Sequence, residues 1–386
     1  METHNNSANL KLKLLINGLK LDDTVLTGLG TKFKEYQYGY NDSNWAKRQS
    51  REVIPSELVL PGEIVVASHL RPSSPYTIKR DGDIMLVIDD RTNKEISTIE
   101  YLSRPKIWDL KLSDGSSIKN YLNVYGKNCL NLFIVADCDF WNEGKPCVFC
   151  SLKPSQSLHN DVVVFKSVDK IAEAVNIAFT NDSSFKWMIV TGGSLKNRKE
   201  EVLRYYNVLS EIKKYIPSDW NGKIKGNAAL LPTNNEEDLQ MLFSTGIEHP
   251  SFNMEVWGKE LFLKYCEGKE QYASFDNLIE TYKKAVKIWG NGEVWCNFVG
   301  GISPISDLKV GFKYMADIGV VPGANIFHLD PSALAVKLGL TEPTEAYVYE
   351  MYSALVDIYK EYDYKPFFSE SVLRNSLSNE MYNGWL

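Results

Sequence analysis

The chain has 386 residues, 44% of them hydrophobic and 24% charged, the balance of an ordinary globular protein. A net charge of −6 provides no electrostatic footprint for a polyanion, so no nucleic-acid partner is expected. No apolar run approaches the roughly 18 residues of a membrane span, and the polar start from Met1 to Ser7 has no signal-peptide core. Six cysteines spread over this length do not form a disulfide framework. The expectation is a cytoplasmic protein with reduced thiols and no membrane partner.

In chain order, Leu10-Lys11-Leu12-Lys13-Leu14 alternates with period two and predicts an edge strand. Apolar runs over 56–60, 63–67 and 83–89 predict further strands, punctuated by Pro61-Gly62, Pro72 to Pro75 and Asp81-Gly82. Residues 1–118 therefore form a β-rich N-terminal region. From Tyr121 onward the pattern changes. Strands are predicted over 129–136, 187–191, 223–230, 250–255, 293–299 and 324–329. Amphipathic helices fall between them over 168–178, 200–216, 236–243, 275–289 and 306–316. Alternation of this kind builds parallel βα units. Six units make an α/β, partial (β/α)6 TIM-like barrel over 119–332. Residues 333–386 add a helix over 345–362 and an aromatic–polar tail expected to cap the mouth of the barrel.

The loop after the first barrel strand carries Cys138, Cys147 and Cys150, spaced Cys-x8-Cys-x2-Cys. Three thiolates can hold three irons of a [4Fe–4S] cluster and leave the fourth open for a small molecule. The same cysteines with His159 could instead form a structural Cys3His zinc site. The second strand ends in Thr191-Gly192-Gly193-Ser194, where two glycines permit close backbone approach to a ligand. On the fourth strand Asn253 and Glu255 point one way, while Phe252, Met254 and Val256 point the other. An interior carboxylate needs a partner, which marks Glu255 as a binding candidate. The fifth strand holds Asn297 and ends in Val299-Gly300-Gly301. The sixth places His328 and Asp330 near the mouth, as substrate ligands, a proton shuttle or a structural pair. Arg374 reads as a surface ion pair. Cys129, Cys266 and Cys296 are scattered, so one cluster is expected. No catalytic residue is identified by the sequence.

Thiolate triplet, Gly-Gly turn, Asn-x-Glu strand and Gly-Gly strand end occur in that order over about residues 121–331. This constellation resembles the radical S-adenosylmethionine (SAM) superfamily. Phe149 fills the aromatic position that the superfamily places before its third cysteine. The first spacing is wider than the common Cys-x3-Cys, and Ser194 stands where a glutamate is frequent. The resemblance implies a [4Fe–4S] cluster on Cys138, Cys147 and Cys150, with SAM bound by its amino and carboxylate groups at the open iron. It further implies contacts to SAM from Phe149, Thr191, Gly192, Gly193, Ser194, Asn253, Glu255, Asn297, Val299, Gly300 and Gly301. One electron, from a donor such as flavodoxin or ferredoxin, then cleaves a carbon–sulfur bond of SAM to start radical chemistry. The acidic balance and the single cluster favour a small polar metabolite as substrate. A peptide substrate is the alternative, and a zinc-stabilised, non-radical α/β barrel is the reading from another class.

Overall fold

The computed structural model describes residues 1–22, 25–26, 32–34, 55–156, 163–330, 332–369 and 374–386. The expected edge strand at Leu10–Leu14 is a helix, α1 (Glu2–Asn17). Its alternation misleads because Lys11 is not a solvent-facing residue. Ala8, Leu10, Leu12, Leu14 and Leu15 are buried on several sides, and Lys11 is buried with them. The Lys11 ammonium meets the Glu380 carboxylate at 2.5 Å, which ties the first helix to the last residues of the chain. Gly18, at φ +67°, ends the helix, and its N–H returns to the Leu14 carbonyl.

The N-terminal region is β-rich as expected. Its strands are β1 (Lys20–Leu21), β2 (Glu57–Leu60), β3 (Ile64–Ala67), β4 (Tyr76–Asp81), β5 (Ile84–Asp89) and β6 (Lys94–Tyr101). They form one sheet in the order β1-β4-β5-β6-β2-β3. The second sheet contains β7 (Asn123–Tyr125), β8 (Cys129–Val135), β9 (Trp187–Gly192), β10 (Ile224–Ala229), β11 (Ile247–Ser251), β12 (Val294–Gly300) and β13 (Val320–Ile326). From β8 to β13 all neighbours are parallel and in sequential order, with β7 added antiparallel at the edge. Helices α2 (Val168–Asn181), α3 (Arg198–Ile212), α4 (Glu236–Ser244), α5 (Phe275–Trp289) and α6 (Ile305–Asp317) form the crossovers. Each lies on the outer face, as right-handed βαβ connections require. The result is an open, six-fold partial barrel. Helix α7 (Glu345–Glu361) covers its β13 edge, with the Tyr352 and Tyr359 hydroxyls donating to the Ala324 and Pro322 carbonyls at 3.0 and 2.8 Å.

The tail caps the opposite end from the one expected. Phe367 stacks on Trp295 at 4.3 Å, and Phe368 meets Trp187 edge-on at 5.8 Å. Both tryptophans lie at the beginnings of their strands, so the tail closes the floor of the barrel. The physical reason is the indole pair itself, a broad apolar surface matched by two phenyl rings in stacked and edge-on geometry.

His328 follows β13 and stacks at 4.0 Å on His69, which follows β3, so the two rings join the N-terminal sheet to the barrel. Burial pushes the His328 ring down to about 3 and Arg71 adds to this, while burial, His328, Arg71 and Arg374 hold His69 well below its usual range. Both rings are therefore neutral in the fold, and the unfolded chain takes up their protons below its ordinary value of about 6.5. The stability they permit is complete above pH 6.5 and is lost as the pH falls toward 3. The expected slope is on the order of 1.4 kcal/mol per pH unit for each ring. His328→Phe keeps an aromatic stack and removes one of the two protons. Urea unfolding between pH 7 and 4.5 is expected to show a shallower loss in that variant than in the wild type. Parallel curves would mean that the pair titrates normally.

Candidate functional site

The eight-residue spacing between Cys138 and Cys147 is occupied by structure. Cys138 caps a single helical turn, Asp139–Asn142, and a loop with Gly144 at φ +73° returns the chain to Cys147. Asp137 organises the entry, its carboxylate accepting from the Cys138 N–H at 2.8 Å and from the Asn142 amide at 3.2 Å. The inserted turn carries two aromatic residues with different tasks. Phe140 is buried and stacks on Tyr272 at 5.5 Å. Trp141 points its indole N–H at the Cys150 sulfur, 3.4 Å away. The wide spacing thus builds a helical turn whose indole addresses the third cysteine.

Cys138, Cys147 and Cys150 line one cavity of about 290 Å³. Burial raises the Cys138 thiol and pushes Cys150 up to about 12. Cys147 stands well above the usual thiol range because its side chain hydrogen-bonds Cys266 and because it is buried. Thiols of this kind are protonated until a metal displaces the proton, so cluster loading releases protons. None of the six cysteines is in a disulfide. Among the described residues no three His, Cys, Asp or Glu side chains gather as ligands of a single ion. Each iron of a cubane takes its own thiolate, so its ligands line a rim instead of meeting at one point. The donor set and its placement fit such a cluster. His159, the fourth ligand of the zinc reading, lies outside the described residues.

The same cavity is lined by Phe149, Thr191, Gly192, Gly193, Ser194, Asn253 and Glu255. The two glycines serve first to bring backbones together. A Cβ on Gly193 would fall 1.7 Å from the Asp137 carbonyl oxygen, and one on Gly192 would fall 3.1 Å from the Val135 nitrogen. Their absence lets the end of β9 lie against the cysteine loop. The Asp139 N–H donates to the Ser194 carbonyl at 2.9 Å, closing that contact. Asn131, 2% exposed, also faces the cavity, and its side-chain N–H2 has no partner there. An orphaned buried donor of this kind suits a polar ligand.

Asn253 and Glu255 lie beyond the end of β11, and Glu255 adopts φ +65°. Its backbone bridges to β12, accepting from the Val299 N–H at 2.7 Å and donating to the Asn297 carbonyl at 3.1 Å. The carboxylate is paired with Lys269 at 2.5 Å, and the same ammonium donates to the Asn253 carbonyl at 3.1 Å. Burial pulls Lys269 down, but the Glu255 carboxylate beside it outweighs this and holds the ammonium above its usual range. Lys269 was missed by sequence reasoning. The available signal was the rule that an interior carboxylate requires a cation, yet nothing in the sequence singles out this lysine from its neighbours.

Four expected site residues lie elsewhere, and two of the expected glycines have other duties. Asn297 lines a second chamber of about 200 Å³. Val299, Gly300 and Gly301 line neither. A Cβ on Gly300 would strike the Met351 sulfur at 2.0 Å, and one on Gly301 would strike Pro343 at 2.7 Å, so these glycines admit α7 and its leader. His328 sits in the stack with His69 described above. Asp330 accepts from the Ser332 N–H at 2.8 Å in a local turn. Arg374 is an ion pair, but an interior one: it donates to Glu57 at 3.2 Å beside Lys34, which meets the same carboxylate at 2.7 Å.

No family model matches the chain. Bacteriochlorophyllide c C-7(1)-hydroxylase of Chlorobaculum limnaeum is 22% identical over 264 residues, and the match covers 65% of each chain, just under two thirds of the hydroxylase's own length. Among solved structures, methylornithine synthase is similar with a TM-score of 0.44 and 14% identity, over 64% of this chain and 71% of that one. A radical SAM methyltransferase from Sphaerobacter thermophilus is similar with a TM-score of 0.40 and 11% identity, over 79% of this chain and 82% of that one.

Proposed function

We infer that this chain, a member of the radical SAM superfamily, holds its [4Fe–4S] cluster on Cys138, Cys147 and Cys150 and starts radical chemistry on a small molecule. The observation that carries the reading is convergence. Thiols from one loop, the Thr191–Ser194 turn, and Asn253 with Glu255 meet on one cavity wall, although they are far apart in the sequence. When bound, the reduced cluster supplies one electron that splits a carbon–sulfur bond of SAM.

The protein's own residues bind, orient and exclude water. Trp141 donates to the Cys150 sulfur, and such hydrogen bonds to ligand sulfurs tune a cluster's potential. Lys269 pairs with Glu255 in a buried setting, so the pair presents groups of both signs to the ammonium and carboxylate of an amino-acid ligand. Asn253 and the orphaned Asn131 amide offer uncharged hydrogen bonds beside them. The floor plug of Phe367 and Phe368 shuts the far end against water.

Chambers of about 290 and 200 Å³ together sit at the low end of the roughly 300–1,000 Å³ that drug-sized ligands occupy. That room suits SAM beside a small metabolite, the substrate class of this reading. A one-electron donor such as flavodoxin or ferredoxin is the partner this chemistry requires. No helix among the described residues is long and apolar enough to cross a membrane.

Anaerobic purification, reconstitution with iron and sulfide, and EPR of the reduced protein test the reading. The expected result is a [4Fe–4S]+ signal that changes when SAM is added. A colourless protein with one zinc per chain would overturn it.

A further inference from the structure

We propose that the second chamber is the substrate pocket and that it selects an uncharged molecule of amide or lactam type; this rests on the radical SAM reading of the adjoining cavity. The chamber lies inside the barrel and shares Tyr125, Ala229, Asn253 and Arg374 with the cavity that the cysteines line. An occupant would therefore abut whatever fills the first.

Its polar wall is made of carboxamides beside the Ser251, Ser376 and Ser378 hydroxyls. Asn227 on β10, Asn297 on β12 and Asn325 on β13 face it, together with Asn253 after β11 and Asn375 from the tail. The strand register explains the convergence. Asn297 pairs with Gly323 and Val299 with Asn325, so Asn297 and Asn325 fall two steps apart on the same inner face. Asn227 is 7% exposed, and its side-chain oxygen has no partner; the Asn375 oxygen is likewise unpartnered. Both residues line the chamber, and buried acceptors left without a donor are costly.

Charge selects the ligand class. No carboxylate or ammonium lines this chamber among the described residues, and its one cation, Arg374, is engaged by Glu57 and lies over the Tyr125 ring at 4.5 Å. An ionised ligand would lose its hydration without a dedicated counter-ion. A carboxamide presents a donor and an acceptor side by side, the complement of another amide edge. The ring therefore suits a neutral –CO–NH– group, with Phe367 and Phe368 supplying the apolar floor.

The test uses the full-length reconstituted protein and two matched probes, pyroglutamide and pyroglutamate, which share a lactam ring and differ in charge. Calorimetric titration is expected to show pyroglutamide binding at least about 10-fold more tightly. Asn227→Leu and Asn325→Leu are each expected to weaken it by about 10-fold, the worth of one hydrogen bond to a group otherwise left unpaired. Iron content and the SAM-dependent EPR change should stay as in wild type, and unchanged thermal midpoints would show that both variants fold. Equal binding of the two probes, or variants that bind as wild type with the cluster intact, would overturn the proposal. Absence of the cluster, with the amide preference and its asparagine dependence retained, would overturn the radical reading while leaving the pocket's specificity standing.

Discussion

Replacing Cys150 with alanine is expected to reduce bound iron from about four per chain to below about one after reconstitution, with loss of the SAM-dependent EPR change. Cys150 lines the cavity, and its sulfur accepts from the Trp141 indole at 3.4 Å and from the Leu152 backbone N–H. Cys266→Ala is the informative comparison. Its thiol is fully buried and hydrogen-bonds Cys147, close enough to raise the question of a fourth ligand. The reading of an open fourth iron expects Cys266→Ala to keep both its iron and its response to SAM. Iron loss in this variant equal to that in Cys150→Ala would identify Cys266 as a ligand and close the site to SAM. Retention of iron in Cys150→Ala would remove that residue from the cluster altogether.

Lys11→Met is expected to cost about 3–5 kcal/mol of stability, the penalty for leaving one member of a buried ion pair uncompensated. Lys11 is fully buried and the Glu380 side chain is 7% exposed, so solvent does little to replace the missing partner. Burial pulls the Lys11 ammonium below its usual range despite Glu380, which shows how completely it is removed from water. The double variant Lys11→Met/Glu380→Leu, which leaves no orphaned charge, is expected to recover most of the loss. Urea midpoints of wild type, Lys11→Met, Glu380→Leu and the double variant measure the coupling. A single variant within about 0.5 kcal/mol of wild type would mean that the first and last segments are not joined by this pair.

Periodicity made most of the barrel legible. The helix expected at 275–289 is α5 to the residue, and the strands expected from 187, 223 and 293 begin within one residue of β9, β10 and β12. The helix buries one stripe and leaves the rest to solvent, while β12 is covered on both faces and reads as a short, near-continuous apolar run, so each pattern survives in the sequence. The first helix was misread for the opposite reason. With Lys11 taken inside by Glu380, the leucine–lysine alternation no longer reports which side faces water. The tail was placed at the wrong end because aromatic residues without a regular period say only that they pack. Which partner they choose, here Trp187 and Trp295, depends on surfaces contributed by distant strands.

The same division runs through the site. The sequence alone determined the chemistry on offer: three thiols after the first strand, two glycines after the second, and an amide with a carboxylate that it placed on the fourth and the structure places just beyond it. These follow from residue type and local spacing, which need no third dimension. Only the tertiary structure decided what each group meets. It placed Lys269 on Glu255, Cys266 on Cys147 and Trp141 on Cys150. It turned Gly300 toward Met351 and His328 toward His69, and it gathered asparagines from separate strands around one chamber. Partnerships of this kind depend on barrel register and crossover packing, which set distances between residues up to hundreds of positions apart and leave no trace in the local spacing of either partner.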